Sequence, residues 1–190
     1  MRITFALVVL VCAAMAQNRG AQHTADYRSA ERKLSAITEF DANPPKGGRI
    51  TVLTDAEINA YFAEGGVQWS DGLSDVRIDD QPSVINGSAQ VDFDKITAKS
   101  RSNNPLMMLF TGVHTVRVTA QAAAVKGRGS IKVQSVSLDG LEIPRTALEF
   151  FVEKYLQPKY PEADLDTVIG MPNRIDSAIV GDHQITFVQR

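Results

Sequence analysis

Three histidines, His23, His114 and His183, are the residues of this chain best suited to move a proton near neutral pH. Their spacing gives none of them a second histidine or a carboxylate in a metal-ligand or nucleophile-activating pattern. His114 shares a strand face with Val116 and Val118, where a core-edge histidine is expected. His23 and His183 are expected in solvent, the first near the start of the mature chain and the second in a hairpin turn. Asp75, Asp79, Asp80, Asp92 and Asp94 form an acidic grouping without the loop spacing of a calcium site, and read as a solvated face. There is no Gly-x-Ser-x-Gly elbow, P-loop, His-Glu-x-x-His pair or glycine-rich dinucleotide turn. The expectation is a protein with no catalytic residue, no cofactor and no metal.

Apolar surface is what remains to do chemistry. Leu148, Phe151, Val152, Tyr155 and Leu156 recur at i, i+3, i+4, i+7 and i+8, one wide stripe on a helix. Fully buried, such a stripe contributes on the order of 10 kcal/mol gross. Met107 and Met108 add flexible, polarizable side chains suited to an adaptable wall. Leu106 to Phe110 lack alternation and are bracketed by Pro105 and Gly112. They are expected as a lip or a core plug at one end of a sheet. With Ile58, Tyr61 and Phe62 from an earlier helix, these residues are the candidate lining of an apolar groove: Ile58, Tyr61, Phe62, Met107, Met108, Phe110, Leu148, Phe151, Val152 and Tyr155.

Several elements must position them. Residues 1–16 read as a signal peptide: Arg2, the apolar run Ile3 to Val11, and a small-x-small site at Ala14-Met15-Ala16. The run is too short to span a bilayer. The single cysteine, Cys12, falls inside this segment, so the mature chain is expected to hold together without a disulfide. Residues 17–48 comprise a helix, Ala25 to Phe40, on a Pro44-Pro45-Lys46-Gly47-Gly48 tether, which makes it semi-detached. Residues 49–190 make a single domain.

Within that domain, Thr54-Asp55-Ala56-Glu57 is a capping box, with Leu53 and Ile58 at the staple positions. Period-two alternation marks strands around Val76–Asp79, Ser88–Asp94 and Thr115–Ala120. Ile131 and Val133 fall out of phase with Val136 and Leu138, and one extra residue near Gln134-Ser135, a β-bulge, restores a common face. Pro144 opens the second strong helix, 144–156, roughly 20 Å long. Two strands, Ile175–Val180 and Gln184–Gln189, close the chain. The fold class expected is α+β: a twisted antiparallel sheet of about five to seven strands wrapped on amphipathic helices, plus the tethered N-terminal helix.

Three stretches, "TVLTDAEINAYF", "VSLDGLEIPRTALEFFVEKYL" and "GMPNRIDSAIVGDHQITFVQ", resemble in order and spacing the LmeA-like family of exported phospholipid-binding proteins and the wider set of tubular lipid-binding half-barrels. The resemblance covers about residues 49–190. It implies a sheet wrapped around a helix and an apolar tunnel, and it implies binding or carriage of a lipid rather than turnover. A lipid cargo in turn implies transient membrane contact, in a periplasmic or secreted protein cleaved near Ala16/Gln17. The formal net charge of −2 gives no basic excess to hold nucleic acid. A non-catalytic interaction module with a solid core is the alternative that the residues leave open.

Overall fold

The computed structural model describes residues 23–42, 44–96, 110–158 and 160–190. In them the alternating stretches become β1 (Arg49–Thr54), β2 (Leu73–Gln81), β3 (Val84–Asp92), β4 (Val113–Val125), β5 (Arg128–Leu138), β6 (Leu141–Glu142), β7 (Asp166–Gly170), β8 (Ile175–Gly181) and β9 (Gln184–Gln189). Every pairing is antiparallel and the sheet is open, with β1 at one end of the main path and β2 at the other. Helices α1 (Ala25–Thr38), α2 (Asp55–Ala63), α3 (Phe93–Ile96) and α4 (Arg145–Phe151) make the fold α+β. Among the described residues the sheet has nine strands, more than the five to seven expected. The short β6 and β7, which pair only with β5, account for the difference.

β4 organises everything else. Along Val113–Gln121 one edge pairs with β3, and at Ala123 and Ala124 the same edge passes to β8. The other edge follows β5. At thirteen residues, β4 spans about 40 Å. Its inward face, Val116, Val118, Ala120, Ala122 and Ala124, crosses three apolar clusters in turn. Val116 and Val118 pack under α4, Ala120 and Ala122 sit in a middle cluster with Ile85, Ile131 and Val180, and Ala124 lies under α1 and α2. Val133 joins the first two clusters, and Ile78 and Ile185 join the last two, so the seam is continuous.

The bulge falls where the phase change places it. Thr119 pairs with Ser135 and Ala120 with Val133, which leaves Gln134 as the extra residue. The capping box forms as well: Thr54 Oγ1 accepts from Glu57 N at 3.3 Å, and Thr54 N donates to Glu57 Oε2 at 2.9 Å.

Two local expectations are corrected. The strand expected through Asp94 ends at Asp92, because Asp92 Oδ1 accepts from Lys95 N at 3.3 Å and starts a turn of helix at Phe93. The N-terminal helix, expected semi-detached, is built into the core. Ala30 and Ile37 are fully buried, and Lys33 Nζ bonds both carboxylate oxygens of Glu57 at 2.6 and 2.8 Å. The tether turns sharply enough to allow this at Gly48, whose φ is +82° and where any Cβ would collide with the Gln189 carbonyl.

Candidate ligand-binding site

α4 enters after Pro144, whose carbonyl accepts from Ala147 and Leu148 N at 2.9 and 3.2 Å. After Phe151 the helix widens into a π turn over Val152–Leu156, with Gln157 N donating to the Val152 carbonyl at 2.9 Å, five residues back. The extra residue keeps Val152 and Tyr155 both buried, at 9% and 7% exposure. Such π turns are concentrated at functional sites.

Beneath α4 lies an aromatic cluster. Phe110 and Phe151 stand 4.5 Å apart between centroids, Phe93 meets Phe151 edge-on at 5.6 Å, and Tyr155 follows at 5.3 Å from Phe151. These separations lie within the favourable range for aromatic pairs. The cluster is filled.

Beside it is a cavity of about 330 Å³ between β5 and α4. Its apolar wall is Val133, Ile143, Leu148 and Leu165, and its polar wall includes the bulge residues Gln134 and Ser135. Arg145 stands at the rim, half-exposed, donating to Glu149 Oε1 at 2.9 Å, Asp166 Oδ2 at 3.1 Å and the Val133 carbonyl at 3.3 Å. The bulge lies at this space, with Gln134 and Ser135 on its lining. The lining is mixed, polar as much as apolar, and the volume sits at the low end of the roughly 300–1,000 Å³ of ligand pockets.

The residues expected to line one groove are distributed over two ends of the sheet. Phe110, Leu148, Phe151, Val152 and Tyr155 share the cluster under α4. Of these, Leu148 lines the cavity and the others form the packed wall behind it. Ile58 and Tyr61 belong to the cluster under α1 and α2, where Tyr61 stacks on Tyr27 at 5.4 Å, and Phe62 packs half-buried against the same cluster, edge-on to Trp69. The length of β4 separates the two sets. Met107 and Met108, with the rest of Leu106–Leu109, lie outside the described residues; Phe110, where that segment ends, is 3% exposed.

The histidines take polar partners. His114 bonds Asp139 Oδ2 at 2.6 Å and the Thr111 carbonyl at 2.7 Å. The Asp139 carboxylate raises the His114 imidazole above its ordinary value. His23 pairs with Glu64 at 3.1 Å and stacks on Tyr27. His183, 64% exposed, reaches two carboxylates, Asp55 and Asp79. Asp80, read with a solvated face, is fully buried.

Sequence reasoning missed Val133, Ile143 and Leu165 as cavity wall. The phase change at Gln134 was the available signal, since the bulge it marks lies on the lining. Compared with family models, curated proteins and solved structures, the chain matches none of them.

Proposed function

We propose that this protein is an exported, non-catalytic binder or carrier of a hydrophobic ligand, taken up in the cavity between β5 and α4. One observation supports the reading: a cavity of about 330 Å³ opens between β5 and α4 at the Gln134 bulge, with Val133, Ile143, Leu148 and Leu165 along one side and polar groups along the other. Leu148 and Val133 would hold an aliphatic tail. Arg145 and the Gln134-Ser135 bulge would face the polar end. The volume suits one acyl chain or a similar single-chain amphiphile better than a two-chain phospholipid.

A second reading is a protein-interaction module. It draws on the outward row Ile179, Ala123, Ser130 and Val168, cross-strand neighbours on four strands, in which Ile179 and Val168 are 59% and 71% exposed. Mass spectrometry of organic extracts from the purified protein separates the two. Stoichiometric co-purifying lipid supports the carrier. Lipid-free protein that also takes up no added fatty acid removes it.

A further inference from the structure

The start of α2, the end of β2 and the β8–β9 turn meet at one corner of the molecule, three strands across the sheet from Val133 at the α4 cavity and sharing no residue with it. Backbone bonds clamp them. Asp55 N donates to the His183 carbonyl and His183 N to the Asp80 carbonyl, both at 3.0 Å, and Asp80 N donates to Asp55 Oδ2 at 2.8 Å. His183 Nδ1 then lies 3.2 Å from Asp55 Oδ2 and 3.1 Å from Asp79 Oδ1. One ligand atom from each of Asp55, Asp79 and His183 falls within 4.8 Å of the others. Metal bonds of about 2.0–2.2 Å to imidazole nitrogen or carboxylate oxygen place neighbouring ligand atoms about 2.9–3.5 Å apart in octahedral or tetrahedral arrangements. The two separations from His183 fit that span.

A second observation lies underneath. Asp80 is 0% exposed, and among the described residues no N–H or O–H donor reaches its carboxyl oxygens, which face the Asp55 carboxyl. Asp55, 7% exposed, also leaves Oδ1 unpartnered. The charged groups acting on Asp80 are Asp55, Asp79 and His183. Buried carboxylates placed together need either a cation or a shared proton.

We propose that this corner binds one first-row divalent cation, with Asp55, Asp79 and His183 as ligands and Asp80 as the buried counter-charge behind Asp55. The mixed nitrogen and oxygen donors suit Zn²⁺ or Mn²⁺ better than Ca²⁺, which takes six to eight oxygens. Asp79 and His183 are 67% and 64% exposed, so water completes the coordination. The ion would tie together segments 128 residues apart in sequence and stabilise the fold by mass action. The site is independent of the apolar cavity.

The test is calorimetry and thermal melting of the chelator-treated protein, titrated separately with Zn²⁺, Mn²⁺ and Ca²⁺. The expected result is one Zn²⁺ or Mn²⁺ per chain with a rise in Tm, and Ca²⁺ at least tenfold weaker. Asp79→Asn and His183→Ala change exposed side chains, so both variants should fold, and each should weaken binding at least tenfold. Asp80→Asn should weaken it as well. A wild-type protein that binds none of the ions below millimolar concentration, with Asp80→Asn raising its Tm, would show a shared proton only and overturn the proposal. Wild-type affinity retained by both Asp79→Asn and His183→Ala would overturn it equally.

Discussion

The two ends of β4 are built differently. At the α1/α2 end, polar bonds to backbone and carboxylate pin the helices. Asn59 bonds both the Ile78 amide and the Ile78 carbonyl, at 2.8 and 2.9 Å, and the fully buried Gln189 donates to the Ile37 carbonyl at 2.9 Å. The Lys33–Glu57 pair joins α1 to α2. At the α4 end, the helix rests on aromatic and aliphatic side chains, changes pitch after about two turns and stands beside a cavity. Directional bonds fix one geometry, whereas apolar contacts tolerate sliding and repacking. The same sheet face thus carries an end pinned by several polar bonds and an end held mainly by apolar packing, with Arg145 bonding the Val133 carbonyl and Asp166. The proposed ligand would enter and leave at the second.

Changes at the two ends can break or sharpen that contrast. The largest effect is expected from Phe151→Ala. Phe151 is the centre of the aromatic cluster, so its loss should cost about 3–5 kcal/mol, read by chemical denaturation. An unchanged stability would mean that the cluster is not packed as described. Asn59→Ala should cost about 1–3 kcal/mol, because it strands both Ile78 backbone groups in a partly buried site, and it should leave ligand content unchanged. Loss of ligand in that variant would mean that the two ends are coupled.

Leu148→Ala should cost less than the roughly 2–5 kcal/mol usual for a buried leucine, since one side of Leu148 already faces the cavity. Its signature should be lost ligand retention rather than lost fold. The smallest effect concerns His114. Its bond to Asp139 raises the imidazole, so the pair stabilises the folded state fully below the ordinary histidine value of 6.5 and progressively less as pH rises through the raised one. An NMR titration should place the His114 midpoint above 6.5, and Asp139→Asn should bring it down.

Much of the scaffold was legible because it rests on local rules. The Thr54–Glu57 capping box, the Gln134 bulge and the start of α4 each follow from residues a few positions apart. What was hidden depends on closure between distant segments. Ile58 and Tyr61 carry an apolar stripe that any helix could have covered, and only the docking of α1 assigns them to the pinned end. Asp80 falls in phase with Val76 and Ile78, the inward side of β2, but its charge and its acidic neighbours Asp75 and Asp79 read as a solvated face. It is buried because the β8–β9 turn folds over the end of β2, and His183 N bonds its carbonyl. β7 was missed because it is a five-residue edge strand with alternating half-exposure, which leaves little hydrophobic signal.

The central claim is that the space between β5 and α4 holds an apolar ligand, and titration with a fluorescent fatty acid tests it most directly. The comparison is wild type against Val133→Trp, which brings a ring to the cavity from the inward face of β5. Saturable uptake of one probe per chain by wild type, lost in a Val133→Trp protein that still melts cooperatively, is the predicted result. Equal uptake by both proteins, or none by wild type, would contradict it.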